Sequence, residues 1–244
     1  MIEYTTTSEV TASQGIKCAI FGNAGIGKTA VIATAPAPLL IAVEPGLIVL
    51  KPANIVRMFG ADTPGISYNV PVAKIKHVSG GSPLPQVREV IKAFQRGDEW
   101  TRPIQTIGLD SISQLAEWEL TYQMTQTPNG QKAYGEMADT ILELIRDFTT
   151  LPDKHVVFTA KQSVSSHSGL YSASFPGQLL DFHFPYEFDC TLQLCTAEGE
   201  NGASHRYFRT QPDYKNFSKD RTGALDPKGE PAYLYNIFSK ISAA

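Results

Sequence analysis

Residues 22 to 29 read GNAGIGKT and fit the spacing G-x-x-x-x-G-K-[ST]. These residue types in this order suit one task, holding a chain of phosphates. Gly22, Gly25 and Gly27 let the backbone curl until several N–H groups converge, and a side chain at any of them would crowd the phosphates. Lys28 supplies a point charge for the β- and γ-phosphates, and the Thr29 hydroxyl takes one position on Mg²⁺. Asn23, Ala24, Ile26 and Ala30 belong to the same nucleotide-binding run. The expected ligands are ATP and Mg²⁺.

Two acids extend the pattern. Asp110 ends the strand-like run Gln105–Asp110, where a metal-supporting carboxylate belongs opposite Thr29. The plainer reading makes it the N-cap of the next helix. Glu44 ends the run Pro38–Glu44. Parallel strands present their C-terminal ends together, so Glu44, Asp110 and the loop are expected to converge. Placed there, Glu44 can polarise a water for attack on the γ-phosphate, or it is simply a strand-end acid.

The elements that must position these residues alternate. Cys18–Gly22 reads as a buried strand, and Thr29–Ala35 as the following helix, stopped by Pro36. Pro38–Glu44 is a second strand, forming a parallel βαβ pair with the first. Residues 47 to 65 carry no decisive period, and 66 to 78 suit an edge strand with Pro71. Val87, Val90, Ile91 and Phe94 mark a helix ended by Gly97. After the strand to Asp110 come a helix over Ser113–Met124 and a polar stretch, Thr125–Gly135. A helix carrying Met137, Ile141, Leu144, Ile145 and Phe148 follows, then the strand Lys154–Ala160. Residues 161 to 180 are Ser/Gly-rich without an apolar period, the signature of a functional or disordered loop. Phe188–Leu194, Ser204–Gln211 and Ala232–Phe238 read as strands, with a hairpin turn at 198–202. The layout predicts an α/β fold, a mainly parallel central sheet flanked by helices with an antiparallel, β-rich C-terminal part. Residues 1–14 form a loose lead-in, and 15–244 one domain.

Composition narrows the classes. Hydrophobic content is 42%, charged content 18% and net charge −3, which argues against a globally basic nucleic-acid binder. From Ala203 onward, seven Lys/Arg face four Asp/Glu, leaving the C-terminal part at +3 and the rest at −6. Cys18, Cys190 and Cys195 lack metal-ligand spacing, so neither a disulfide nor a zinc site is expected. No apolar run approaches membrane-spanning length and no signal layout opens the chain, so a soluble cytoplasmic protein without membrane contact is expected.

The blocks GNAGIGKT, LLIAVEPGL, IGLDSIS and HVVFTAKQS stand in the order and spacing of a RecA-like ATPase core. The tail segments ASHRYFR (203–209) and KDRTGAL (219–225) resemble small phage-encoded P-loop proteins of that class, the single-strand annealing ATPases. The resemblance spans roughly residues 15 to 240. It implies that Lys28 and Thr29 hold phosphate and Mg²⁺, Asp110 supports the metal, and Glu44 is the catalytic acid. It also implies a polar γ-phosphate sensor, typically Gln, at the end of the fourth core strand. An ungapped match puts Lys161 there and Gln162 one later. The segment after it is where such cores bind DNA, which singles out His167, Tyr171 and Phe175, the two aromatics as base-stacking groups. Lys219 and Arg221 would reach the nucleotide of a neighbouring copy.

The function this implies is a DNA-stimulated ATPase that binds single-stranded DNA and promotes annealing or recombination as a ring or filament. A single-strand-binding protein is left open as a further partner, and the host cytoplasm is the implied location. Two other readings remain: a P-loop small-molecule kinase, for which no Arg-rich lid is visible, and a nucleotide-dependent remodelling or scaffold ATPase.

Overall fold

A computed structural model describes residues 14–61, 63–166, 168–198 and 204–244. Most of the expected lead-in, His167 and most of the 198–202 turn lie outside these residues. The first half alternates strand and helix: β1 (Lys17–Phe21), α1 (Lys28–Ile32), β2 (Pro38–Ala42), α2 (Pro52–Phe59), β3 (Val72–Lys74) and α3 (Leu84–Arg96). Next come β4 (Thr106–Asp110), α4 (Ile112–Gln126), α5 (Gly130–Thr149), β5 (His155–Val164), β6 (Tyr171–Ser174) and α6 (Gln178–His183). The C-terminal part holds β7 (Cys190–Glu198), β8 (Ser204–Arg209), β9 (Lys219–Asp220), β10 (Glu230–Pro231) and α7 (Leu234–Ala243).

The sheet order is β10-β8-β7-β1-β5-β4-β2-β3, with β6 on β5 and β9 on β7. From β3 to β7 every neighbouring pair is parallel, while β8, β9 and β10 pair antiparallel. This bears out the expected fold class. Both faces of the parallel part are covered, which is why its strands read as continuous apolar runs. In β1, Ala19 and Phe21 join the core under α3, α4 and α5, while Cys18 and Ile20 join the core under α1 and α7. Gly108 in β4 permits the close seating of α1, since a Cβ there would lie 2.6 Å from the Ile32 methyl.

Four expectations need correction. β1 and β2 are parallel but not neighbours, because β5 and β4 lie between them. The stretch 161–180 is not a structureless loop. β5 runs on to Val164, β6 pairs back on it from Lys161↔Ser174 to Val164↔Tyr171, and α6 follows. That hairpin is built from small and polar residues, so it has no apolar period to read. Helix α5 begins at Gly130, capped by the Asn129 side chain accepting from Lys132 N at 3.2 Å, inside the stretch read as polar connection. Residues 234–243 are helix α7 and not a strand. The Tyr and Phe content suggests β structure. The spacing of Leu234, Ile237, Phe238 and Ile241, all packed on one cluster, is helical.

Candidate functional site

The C-terminal ends of β1, β2 and β4 meet the outer part of β5 at one edge of the sheet, and every core candidate lies there, within or just after one of these strands. They surround a cavity of about 610 Å³ lined by Gly22–Gly25, Gly27–Thr29, Glu44, Asp110, Lys161 and Gln162. Ile26 instead packs on the apolar cluster beneath, and Ala30 is buried. Sequence reasoning had not placed Pro45, Gly46 and Met58, which close the cavity from the segment after β2.

The loop curls as its glycines allow. Gly25 and Gly27 take φ of 73° and 108°, and Gly27 is the N-cap of α1. A brace from far along the chain fixes it: Arg206 on β8 donates from Nε to the Ile26 carbonyl at 2.7 Å. A Cβ on Gly27 would come within 3.0 Å of that same nitrogen. Lys28 turns back over the loop, its Nζ donating to the carbonyls of Gly22 at 2.8 Å and Asn23 at 3.0 Å. Burial lowers the Lys28 pKa, Asp110 and Glu44 oppose this, and Lys161 adds to the lowering. A phosphate arriving here meets a cation already held in place, and would compete with the two carbonyls for it.

Asp110 is buried and accepts two hydroxyl donors. Thr29 Oγ1 donates to Oδ2 at 2.6 Å, and Thr159 Oγ1 donates to Oδ1. Burial raises the Asp110 pKa, the bonds from Thr159 and Thr29 oppose this, Glu44 adds to it and Lys28 opposes it. Asp110 is not the cap of α4. That role belongs to Ser111, whose Oγ accepts from Gln114 N at 3.2 Å. The Ser111 hydroxyl also donates to Glu44 Oε1, so one residue both starts a helix and orients the second acid. Glu44 is further fixed by its backbone N–H donating to the Asp110 carbonyl at 3.2 Å.

Lys161 forms an ion pair with Glu117 at 2.6 Å on the cavity wall. Gln162 Oε1 accepts from Gln193 Nε2 at 3.1 Å. Both therefore stand at the cavity, and both are engaged by neighbours. The Thr29 hydroxyl and the Asp110 carboxylate form an all-oxygen donor pair, which fits the hard-ligand preference of Mg²⁺. Among the described residues there is no cluster of three or more acidic, His or Cys side chains able to hold a metal. The remaining ligands would thus come from nucleotide phosphates and water.

The outlying candidates fare differently. Tyr171 is 41% exposed on β6. Phe175 is buried and packs on Phe184 at 4.7 Å between ring centroids, so the expectation that it stacks on bases is corrected: its ring is core. Lys219 lies on β9 beside Cys190 and Thr191, at the end of the sheet away from the loop. Its Nζ donates to the carbonyls of Pro185 and, at 2.8 Å, Phe188. Arg221 donates to the Tyr186 carbonyl at 2.9 Å.

Sequence reading missed Arg206, Thr159 and Gln193 as parts of the site. Only Thr159 had a readable signal, as the polar residue in the otherwise apolar run Val156–Ala160. Comparison with curated proteins gives no match. Among the described residues no helix is long and apolar enough to cross a membrane. A protein-family model, described as an AAA domain, matches residues 14–222. With the phosphate loop and its two acids at one sheet edge, and most of its length matched by that model, the chain belongs to the AAA domain family of P-loop ATPases.

Proposed function

We propose that the chain is an ATP-hydrolysing, single-stranded DNA-binding protein that promotes annealing and homologous recombination as a ring or filament. It is phage-encoded in this reading and acts in the host cytoplasm. The observation that carries the nucleotide half is the meeting of Lys28, Thr29, Glu44 and Asp110 around one cavity. Lys28 holds the β- and γ-phosphates, and Thr29 with Asp110 holds Mg²⁺, which when bound neutralises phosphate charge. Glu44, oriented by the Ser111 hydroxyl, accepts a proton from the attacking water. Lys161 or Gln162 senses the γ-phosphate.

The DNA half is supported by the exposed Tyr171 on β6, the strand paired back on that sensor strand. Self-association is supported by the exposed side chains of Phe182 and Tyr186, whose ring centroids lie 5.8 Å apart, the Tyr186 carbonyl being the one that Arg221 grips. In an assembly Lys219 and Arg221 would turn toward the nucleotide of the next copy.

The test is binding of a labelled single-stranded oligonucleotide with and without ATP–Mg²⁺, across a salt series, for wild type and Lys28→Ala. The expected result is ATP-dependent binding that weakens with salt and falls about tenfold or more in the variant. Should wild type ignore DNA at low salt with ATP bound, the recombination reading fails.

A further inference from the structure

Between β8 and β9 the chain leaves the sheet and returns to it. Both strands pair antiparallel with β7, β8 against Gln193–Glu198 and β9 against Cys190–Thr191. Residues 211–218 are the excursion between them. It is a built structure. Asp213 Oδ1 accepts from the backbone N–H groups of Lys215 at 2.7 Å and Asn216 at 2.8 Å, and the Asp213 carboxylate pairs with Arg209. It is also sewn to β6: Tyr171 N donates to the Lys215 carbonyl at 2.7 Å, and Phe217 N to the Tyr171 carbonyl at 2.8 Å.

This sewing brings two exposed aromatic residues into one surface region, since Tyr171 bridges to Asn216, two residues beyond Tyr214. Tyr214 is 83% exposed and Tyr171 41%. The Lys215 ammonium lies 5.3 Å from the centroid of the Tyr214 ring. Aromatic faces with an interleaved cation suit single-stranded nucleic acid, because each base offers a π face and each linkage a negative charge. Lys215 supplies the charge that residues 163–180, which contain no Lys or Arg, lack.

The excursion is tied to the nucleotide cavity by a single side chain. Gln193 is 5% exposed, and its Nε2 donates both to Gln162 Oε1 at 3.1 Å and to Asn216 Oδ1 at 3.0 Å. Gln162 lines the cavity. Gln193 Oε1 itself is buried without a hydrogen-bond partner. Thr191 Oγ1, Arg209 Nε and Ser218 Oγ are in the same condition, so four of the five such atoms among the described residues lie on or beside this excursion. Unmet buried polar atoms are costly.

We infer that residues 211–218 together with Tyr171 form the platform on which a single DNA strand stacks, and that Gln193 couples this platform to nucleotide occupancy. The inference rests on the DNA-binding reading above and names its surface and its link. A Gln162 that turns toward a phosphate releases Gln193. The freed amide keeps only its bond to Asn216, and the platform shifts with it.

The experiment measures fluorescence anisotropy of a labelled oligothymidylate of about 20 nucleotides, a length suited to a stacking groove. It is run with and without a non-hydrolysable ATP analogue and Mg²⁺, while nucleotide affinity is read separately with a fluorescent analogue. Tyr214→Ala and Lys215→Ala are each expected to weaken DNA binding about tenfold, with Tyr214→Phe close to wild type. Lys215→Ala should also reduce the salt slope by about one. Nucleotide affinity stays unchanged in all three. Gln193→Met keeps the side-chain volume but loses both donors, and should shrink the ratio of DNA affinities with and without nucleotide toward one. If wild type binds DNA and Tyr214→Ala binds equally well, the platform is elsewhere, although the DNA-binding reading survives. If Gln193→Met keeps the wild-type ratio, the coupling is refuted. If wild type binds nucleotide but no DNA, the parent reading fails and this inference with it.

Discussion

At the scale of single residues, the site is a set of side chains each held by a partner that local sequence does not announce. Asp110 is held by Thr29 and Thr159, Glu44 by Ser111, and the loop by Arg206. Buried carboxylates need such donors, since an unpaired charge away from water is costly. The loop glycine at position 27 gives the sharpest residue-level prediction. Its φ of 108° is unfavourable for any residue with a Cβ, and the added carbon would meet Arg206. Gly27→Ala should cost about 1–2 kcal/mol of stability. It should also weaken nucleotide binding about tenfold, because the loop amides no longer converge. Denaturant titration and binding of a fluorescent nucleotide measure the two effects. Arg206→Ala added to Gly27→Ala clears the contact but leaves the backbone strain, so the stability loss should persist. Recovery in the double variant would place the cost in the contact instead.

At the scale of elements, long apolar periods were legible and small-residue structure was not. The helical spacing of Val87, Val90, Ile91 and Phe94 carried α3, and the Gly97 cap takes the left-handed conformation expected of a helix end. The β5–β6 hairpin escaped because its strand KQSV pairs with YSAS, neither of which has an apolar face. Helix α7 escaped because its aromatic composition competed with its period. What anchors α7 is a long-range cap. Thr34 Oγ1, at the end of the α1 segment, accepts from Leu234 N at 2.9 Å, and the Thr34 carbonyl accepts from Tyr235 N at 2.9 Å. The first N–H groups of a helix have no partner within it, so Thr34 does for α7 what a neighbouring Ser or Asp usually does. Thr34→Val keeps the shape and leaves a buried N–H unpaired, which should destabilise by about 1–3 kcal/mol. Thr34→Ser should recover most of that. Equal stability for Val and Ser in urea titration would show that the bond contributes nothing.

At the scale of the whole molecule, segments far apart in the chain are joined by contacts that titrate. His155, at the start of β5, accepts from Ile16 N at 3.0 Å through Nδ1 and stacks on Phe238 of α7 at 4.5 Å. Burial, and secondarily the Lys17 charge, lowers its pKa to about 4. An unfolded His takes its proton near 6.5, so between about 6.5 and 4 the unfolded chain binds more protons. Stability from this group is full above that window and is lost as pH falls through it. The loss is on the order of 2 kcal/mol once partial solvent contact is allowed for. Asp181, raised to about 6 by burial, acts in the opposite sense, favouring the fold at low pH and losing that contribution as pH rises. Comparing wild type with His155→Asn therefore isolates the histidine: the melting temperature of wild type relative to the variant should fall as pH drops from 6.5 to 4, the Asp181 contribution being common to both. Parallel pH profiles would remove His155 from this role. The sequence by itself determined the phosphate loop, the two acids and the α/β class, because each rests on a local code of glycine spacing, strand ends and apolar runs. Tertiary structure alone decided the placing of β5 and β4 between β1 and β2, the Arg206 brace 180 residues from its carbonyl, the burial of Phe175 and the Gln193 link. Those depend on which strands come to lie side by side, a choice made by the packing of the whole core, which no single segment encodes.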